Sequence, residues 1–242
     1  MRSMVDAVRL HADGAWGFVV FALSPAFDPD SRAPRGDGRN VILVPGFMGP
    51  EMSMRPLAAF LNRMGYSASP WGRGINVGHR NPETAQRIFR WIGERADRLA
   101  DQSGKPVSVV GQSLGGIYAR EAAKLSKSVD RVVTLGTPGY LSPETADVGV
   151  NSLVTKMFSA ATGSNASDQL SDPRYGSLSE DPSCSLYSIY SRYDGVVSAD
   201  AAMIPSDRLS EKKRNVHVAS PHCGMGAHPG CMLAVAECLA DR

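Results

Sequence analysis

The sequence lacks an apolar run long enough to span a membrane. Its only candidate, residues 16–23 (WGFVVFAL), falls well short of the ~18 residues such a helix needs. Aromatics are scarce at 7%, and charge is nearly balanced, with 26 Lys and Arg against 24 Asp and Glu. With no basic stripe or RNA-binding signature, a nucleic-acid partner is not expected. Cysteine is sparse as well. Cys184, Cys223, Cys231 and Cys238 lie late in the chain without the paired C-x-x-C spacing of a zinc site. A Cys223–Cys231 disulfide fits their spacing, but buried free thiols are the plainer expectation.

Residues 16–23 follow Arg2 and Arg9, as the apolar part of an export signal would. Asp6 and Asp13 dilute that positive region, and no A-x-A cleavage pattern follows. The segment is therefore expected to be retained as a strand or a buried helical turn, in a cytoplasmic protein.

What is present points to one α/β domain over residues 1–242, since 43% hydrophobic residues suffice for a sizeable core. A polar, Pro/Gly-rich connector covers residues 28–40. After it, apolar runs alternate with helical patterns. Residues 41–44, 107–110, 132–135, 186–190 and 216–218 read as strands; 56–64, 82–102, 114–125 and 232–239 read as helices. This alternation predicts a mostly parallel central sheet flanked by helices, with chemistry in loops at the strands' carboxyl ends. Residues 140–183 break the rhythm and are expected to form a small cap or lid.

Gly111-Gln112-Ser113-Leu114-Gly115 matches G-x-S-x-G. Alone the match is weak, but it follows a buried strand without a gap and opens a helix, as a nucleophile elbow requires. Ser113 is the candidate nucleophile. The oxyanion donors expected for such an elbow are the N–H of Leu114 and one from the loop after residues 41–44, with Phe47 preferred and Met48 second. In the chain order Ser, acid, base, His11 and His79 drop out. Asp194 follows a strand directly, whereas Asp168, Asp172 and Asp181 lie in the interrupting segment. His222 follows the strand at 216–218. His217 lies inside it, and His228, before Pro229, suits a helix cap. Asp194 and His222 are the expected acid and base. Met48, Met157 and Phe158 are expected to touch substrate.

With these residues in place, the chain resembles the bacterial lipase/esterase-like branch of the α/β-hydrolase superfamily from about residue 36 to residue 239. The carriers are GDGRNVILVPGFMG, WGRGINVGH, GQSLGGIYARE, VVTLGTP, YSRYDGVV and HCGMGAHP. The resemblance implies the α/β-hydrolase fold and a Ser113–Asp194–His222 triad. It also implies hydrolysis of a small-molecule or lipid ester by water without metal or organic cofactor, with residues 71–79 lining the site's edge. Pro45-Gly46 departs from the His-Gly many relatives carry there. The same machinery serves thioester hydrolysis or acyl transfer. A non-catalytic binding protein on the same fold is the reading from a different class.

Overall fold

The computed structural model describes residues 2–24, 33–142, 145, 149–175 and 180–241. Six strands, Asn40–Val44 (β1), Ser67–Pro70 (β2), Val107–Gln112 (β3), Val129–Leu135 (β4), Ser185–Tyr190 (β5) and Lys213–His217 (β6), form one sheet. Their order is β2-β1-β3-β4-β5-β6, and every neighbouring pair is parallel. The helices are Arg2–Leu23 (α1), Arg55–Met64 (α2), Pro82–Ser103 (α3), Leu114–Leu125 (α4), Ser152–Thr162 (α5), Ala166–Ser171 (α6), Ala199–Ala202 (α7) and Pro229–Ala240 (α8).

The central strands read as unbroken apolar runs because both sheet faces are covered. Val41 and Leu43 of β1 point into one core with Leu57, Phe60, Leu61 and Met64 of α2 and Val235 and Leu239 of α8. Ile42 and Val44 point the other way, into a core with Ile88, Phe89 and Ile92 of α3 and Tyr118 and Ala122 of α4. Truncating a fully buried residue such as Leu43 or Ile42 to alanine costs roughly 2–5 kcal/mol. Helix ends are set locally. Asn81 and Thr84 form a reciprocal capping box ahead of α3, and Gly65, at φ 97°, ends α2 in the left-handed conformation.

The chain leaves β1 toward β2 on one side and later toward β3 on the other, so the strand order reverses between β1 and β3. A crevice opens at the carboxyl ends of strands at such a reversal. Val44 at the end of β1 lies opposite Gly111, so the loop after β1 and the turn after β3 emerge side by side.

Two elements differ from the sequence reading. β2 was not resolved among the strands; it is a four-residue edge strand with one buried residue, Ala68. Residues 16–23 are neither a strand nor a buried turn but the end of the 22-residue helix α1. Trp16, Phe18, Val19, Phe21 and Leu23 are exposed, whereas Asp13, Gly17 and Val20 are buried. The hydrophobic pattern misleads because the stripe that docks, Asp6, Leu10, Asp13, Gly17 and Val20, follows helical spacing but carries two aspartates. No helix among the described residues is long and apolar enough to cross a membrane. Residues 28–32 of the expected connector, and 143, 144, 146–148 and 176–179 of the expected cap, lie outside the described residues.

Candidate active site

β3 runs into α4 through a single residue, Ser113, at φ 51° and ψ −123°. A non-glycine residue there carries strain of about 1–3 kcal/mol. The neighbouring glycines explain how the turn can be so tight: a Cβ on Gly111 would collide with the backbone of Gly115, and one on Gly115 with the carbonyls of Val44 and Pro45. Ser113 N–H is anchored to Leu135 O at 2.8 Å. The hydroxyl thus stands at the positive end of α4, where developing negative charge is favoured.

The loop after β1 approaches Ser113 closely, since a Cβ on Gly46 would lie 3.1 Å from Ser113 Cβ. Asn76, fully buried, holds that loop. Its side chain donates to Pro45 O at 2.8 Å, its carbonyl accepts Met48 N–H at 2.7 Å, and its own N–H reaches Gly49 O at 3.0 Å. Met48 N–H is therefore occupied, and its side chain is exposed. Phe47 N–H has no intramolecular hydrogen-bond partner among the described residues. The backbone support given by Asn76 also accounts for proline at position 45, whose side chain supplies no hydrogen bond. Sequence reading missed Asn76, although it lies in the WGRGINVGH stretch.

Asp194 and His222 meet. His222 Nδ1 is 2.7 Å from Asp194 Oδ2, and the two side chains are 8% and 2% exposed. Asp194 Oδ1 accepts the N–H groups of Val196 and Val197 at 2.8 and 2.7 Å, fixing the carboxylate from behind. Burial pulls the His222 pKa down, but the carboxylates of Asp194 and Asp13 outweigh it and the net shift is upward. Ser113 Oγ makes no hydrogen bond to His222 among the described residues. The base loop is tied to the elbow instead by Gln112 Nε2, which donates to His222 O at 2.7 Å.

A cavity of about 500 Å³ opens over Ser113, walled by Phe47, Ile117, Val154, Phe158 and Tyr175. Phe47 and Phe158 meet edge to face at 5.3 Å, joining the loop after β1 to α5. Phe158, one of the three residues expected to touch substrate, lines this cavity. Met157 and Met48 do not: both are more than half exposed and lie outside it. Met157 is one helical step from Phe158, on the solvent side of α5.

His79, excluded above by chain order, lines the same cavity and is buried. Its Nε2 is 2.9 Å from Gln169 Oε1, which can only accept, so Nε2 carries the proton and Nδ1 accepts from Tyr118 Oη at 2.9 Å. Burial lowers its pKa to about 4, against a small opposing effect of Gln169. Arg120, fully buried on α4, donates to Gly139 O and pairs with Asp181 at 2.9 Å, while Tyr140 and Lys213 also reach Asp181. These bonds fasten both ends of the segment between β4 and β5. His217 is exposed on β6, and His228 caps α8 by accepting Gly230 N–H at 3.2 Å. All four cysteines are free, Cys231 and Cys238 buried but Cys223 exposed, and no cluster of His, Cys, Asp and Glu among the described residues suits a metal.

No protein-family model matches the chain, and no curated protein does. Solved structures match over most of its length. A candidate hydrolase of the α/β superfamily from Xanthomonas campestris is 14% identical with a TM-score of 0.53, covering 82% of this chain and 96% of its own. A mature lipase from Bacillus licheniformis is 16% identical at 0.51, covering 86% and 91%. An esterase from Pyrococcus furiosus is 17% identical at 0.57, covering 84% and 83%. The parallel sheet, its flanking helices and these likenesses agree: the chain has the α/β-hydrolase fold.

Proposed function

We propose that this protein is a serine hydrolase that cleaves carboxylic esters through an acyl-enzyme on Ser113. The observation that carries the reading is the buried Asp194–His222 pair at 2.7 Å, tied through Gln112 to a strained Ser113 that faces an apolar cavity. In this mechanism His222 Nδ1–H donates to Asp194, leaving Nε2 free to accept the Ser113 proton as Oγ attacks the ester carbonyl. The hydrogen bond from Ser113 to Nε2 forms in the substrate complex, where such contacts tighten. The resulting oxyanion receives hydrogen bonds from Phe47 N–H and Leu114 N–H. His222 then protonates the departing alcohol, and water, deprotonated by the same imidazole, releases the acid. The imidazole passes water's proton to Ser113 Oγ as the acyl bond breaks, which restores the free serine. The segment at 140–183 serves as a cap, and Phe158 with its neighbours receives the acyl chain.

The test is a panel of p-nitrophenyl esters from acetyl to palmitoyl, assayed beside acyl-CoA and paired with fluorophosphonate labelling. Ser113→Ala is expected to lose turnover by as much as ~10⁶-fold and to lose the label. Equal labelling of wild type and variant ends the assignment. Turnover of acyl-CoA alone moves the enzyme to the thioesterases.

A further inference from the structure

The stripe by which α1 docks leads to the base and acid loops. Asp13 is 3% exposed, and its carboxylate accepts three backbone N–H groups. Oδ2 takes His222 at 2.7 Å and Gly195 at 2.9 Å, and Oδ1 takes Cys223 at 2.9 Å. Each donor is in, or beside, one of the two residues of the buried pair. The approach is tight: a Cβ on Gly17 would lie 2.8 Å from Cys223 Cβ. We propose that Asp13 is a positioning residue of the active site, one that locks the Asp194 and His222 loops to each other and sets a second negative charge behind the imidazole. The catalytic part of this inference rests on the hydrolase reading above; the positioning part does not.

The geometry carries the argument. A buried carboxylate is costly unless its oxygens are satisfied, and here three donors satisfy them. No α1 side chain needs to touch substrate for this. The charged groups that act on His222 are Asp194, from the loop after β5, and Asp13, from α1. The thiols nearby are uncharged. Burial pushes Cys231 of α8 up to about 12, and desolvation of its sulfur together with Asp13 and Asp194 does the same for Cys223. Gln112 meets His222 only through a neutral amide. Both carboxylates favour the imidazolium that forms during proton transfer. α1 has a second polar anchor, Asp6, which accepts the N–H and hydroxyl of Ser152 at the start of α5. It permits a control in which docking is weakened without touching the two loops.

The experiment is ring titration of histidine by NMR on the whole chain, with His222 assigned by its loss in His222→Asn. Alongside it run kcat, KM and the pH profile on a p-nitrophenyl ester. In folded Asp13→Asn the His222 midpoint is expected to fall relative to wild type, the acidic limb of kcat/KM to move down with it, and kcat to drop about tenfold with KM little changed. Asp6→Ala is expected to leave the His222 midpoint where it is. A folded Asp13→Asn with unaltered midpoint and kcat overturns the proposal, as does an equal shift in Asp6→Ala. Should Asp13→Asn fail to fold, amide exchange in the wild type decides. The N–H groups of Gly195, His222 and Cys223 are expected to be protected, and exchange as fast as in exposed loops overturns it. A wild type that hydrolyses no ester removes the hydrolase reading, while the titration still reports on Asp13.

Discussion

Gln112, the residue before Ser113, donates its side-chain amide to the backbone carbonyl of His222 at 2.7 Å. The proposed nucleophile and base are thus joined by a bond that involves neither side chain's reactive atom. Gln112→Ala leaves that carbonyl only the longer bond from Met225 N–H at 3.3 Å, at about 1 kcal/mol. The expected outcome in steady-state assays is a kcat lowered about tenfold at near-constant KM, because the loss falls on alignment and not on substrate binding. A folded variant with normal kcat would separate the base loop from the elbow.

At position 113 the usual order of glycine and alanine should invert. In an ordinary helix or strand alanine is more stable by about 0.5–1 kcal/mol. The positive φ of Ser113 makes Ser113→Gly more stable than Ser113→Ala by about 1 kcal/mol. Urea melts of the two inactive variants measure the difference.

His79 makes stability depend on pH. Its folded pKa, about 4, lies below the ordinary imidazole value of 6.5, so the unfolded chain binds the proton more tightly. This contribution is fully present above pH 6.5 and is lost as pH falls from there toward 4, by roughly 2 kcal/mol between pH 7 and 5. Denaturant melts should show a drop of that size in wild type beyond any drop in His79→Asn. Parallel curves for the two proteins would mean that His79 binds its proton as readily in the folded chain as in the unfolded one.

Removing the Arg120 guanidinium leaves Asp181 buried with Tyr140 and Lys213 as partners and frees Gly139 O. Arg120→Ala is expected to cost about 3 kcal/mol in thermal or chemical unfolding, the low end for a broken buried pair because Lys213 stays. A loss under 1 kcal/mol would show that the pair does not hold the segment.

The cavity sets the response to chain length. Each buried methylene adds about 0.8 kcal/mol at most, about fourfold in kcat/KM, until the space is filled. Phe158→Ser should flatten that rise, and Met157→Ser should leave it intact. A wild-type profile that peaks at acetyl and falls steadily would argue for a small or non-lipid ester.

The elbow was legible in the sequence because its constraint is local: Gly111, Ser113 and Gly115 answer to atoms within a few residues. The strands around it were legible because burial on both faces forces unbroken apolar runs. α1 was not, because the face it buries carries Asp6 and Asp13, whose partners Ser152, Gly195 and His222 lie far along the chain. Asn76 was hidden for the same reason, since its partner Pro45 O is a backbone atom with no signature. Met157 lies one helical step outside the cavity that Phe158 lines, a distinction that the shape of the cavity makes and periodicity does not.

The bonds from Asp13 to His222 and Cys223 span 209 and 210 residues of sequence. Closing a loop of that length is entropically unfavourable, and contacts of such separation form only when the intervening chain is already ordered. A chain growing from its N-terminus must therefore hold α1 without these partners until the 209 residues up to His222 have been made. Its exposed Phe18, Val19 and Phe21 are a standing risk of wrong association during that wait. The proposed site thus draws together residues 209 positions apart, so a nascent fragment that stops short of His222 carries Ser113 without its proposed base.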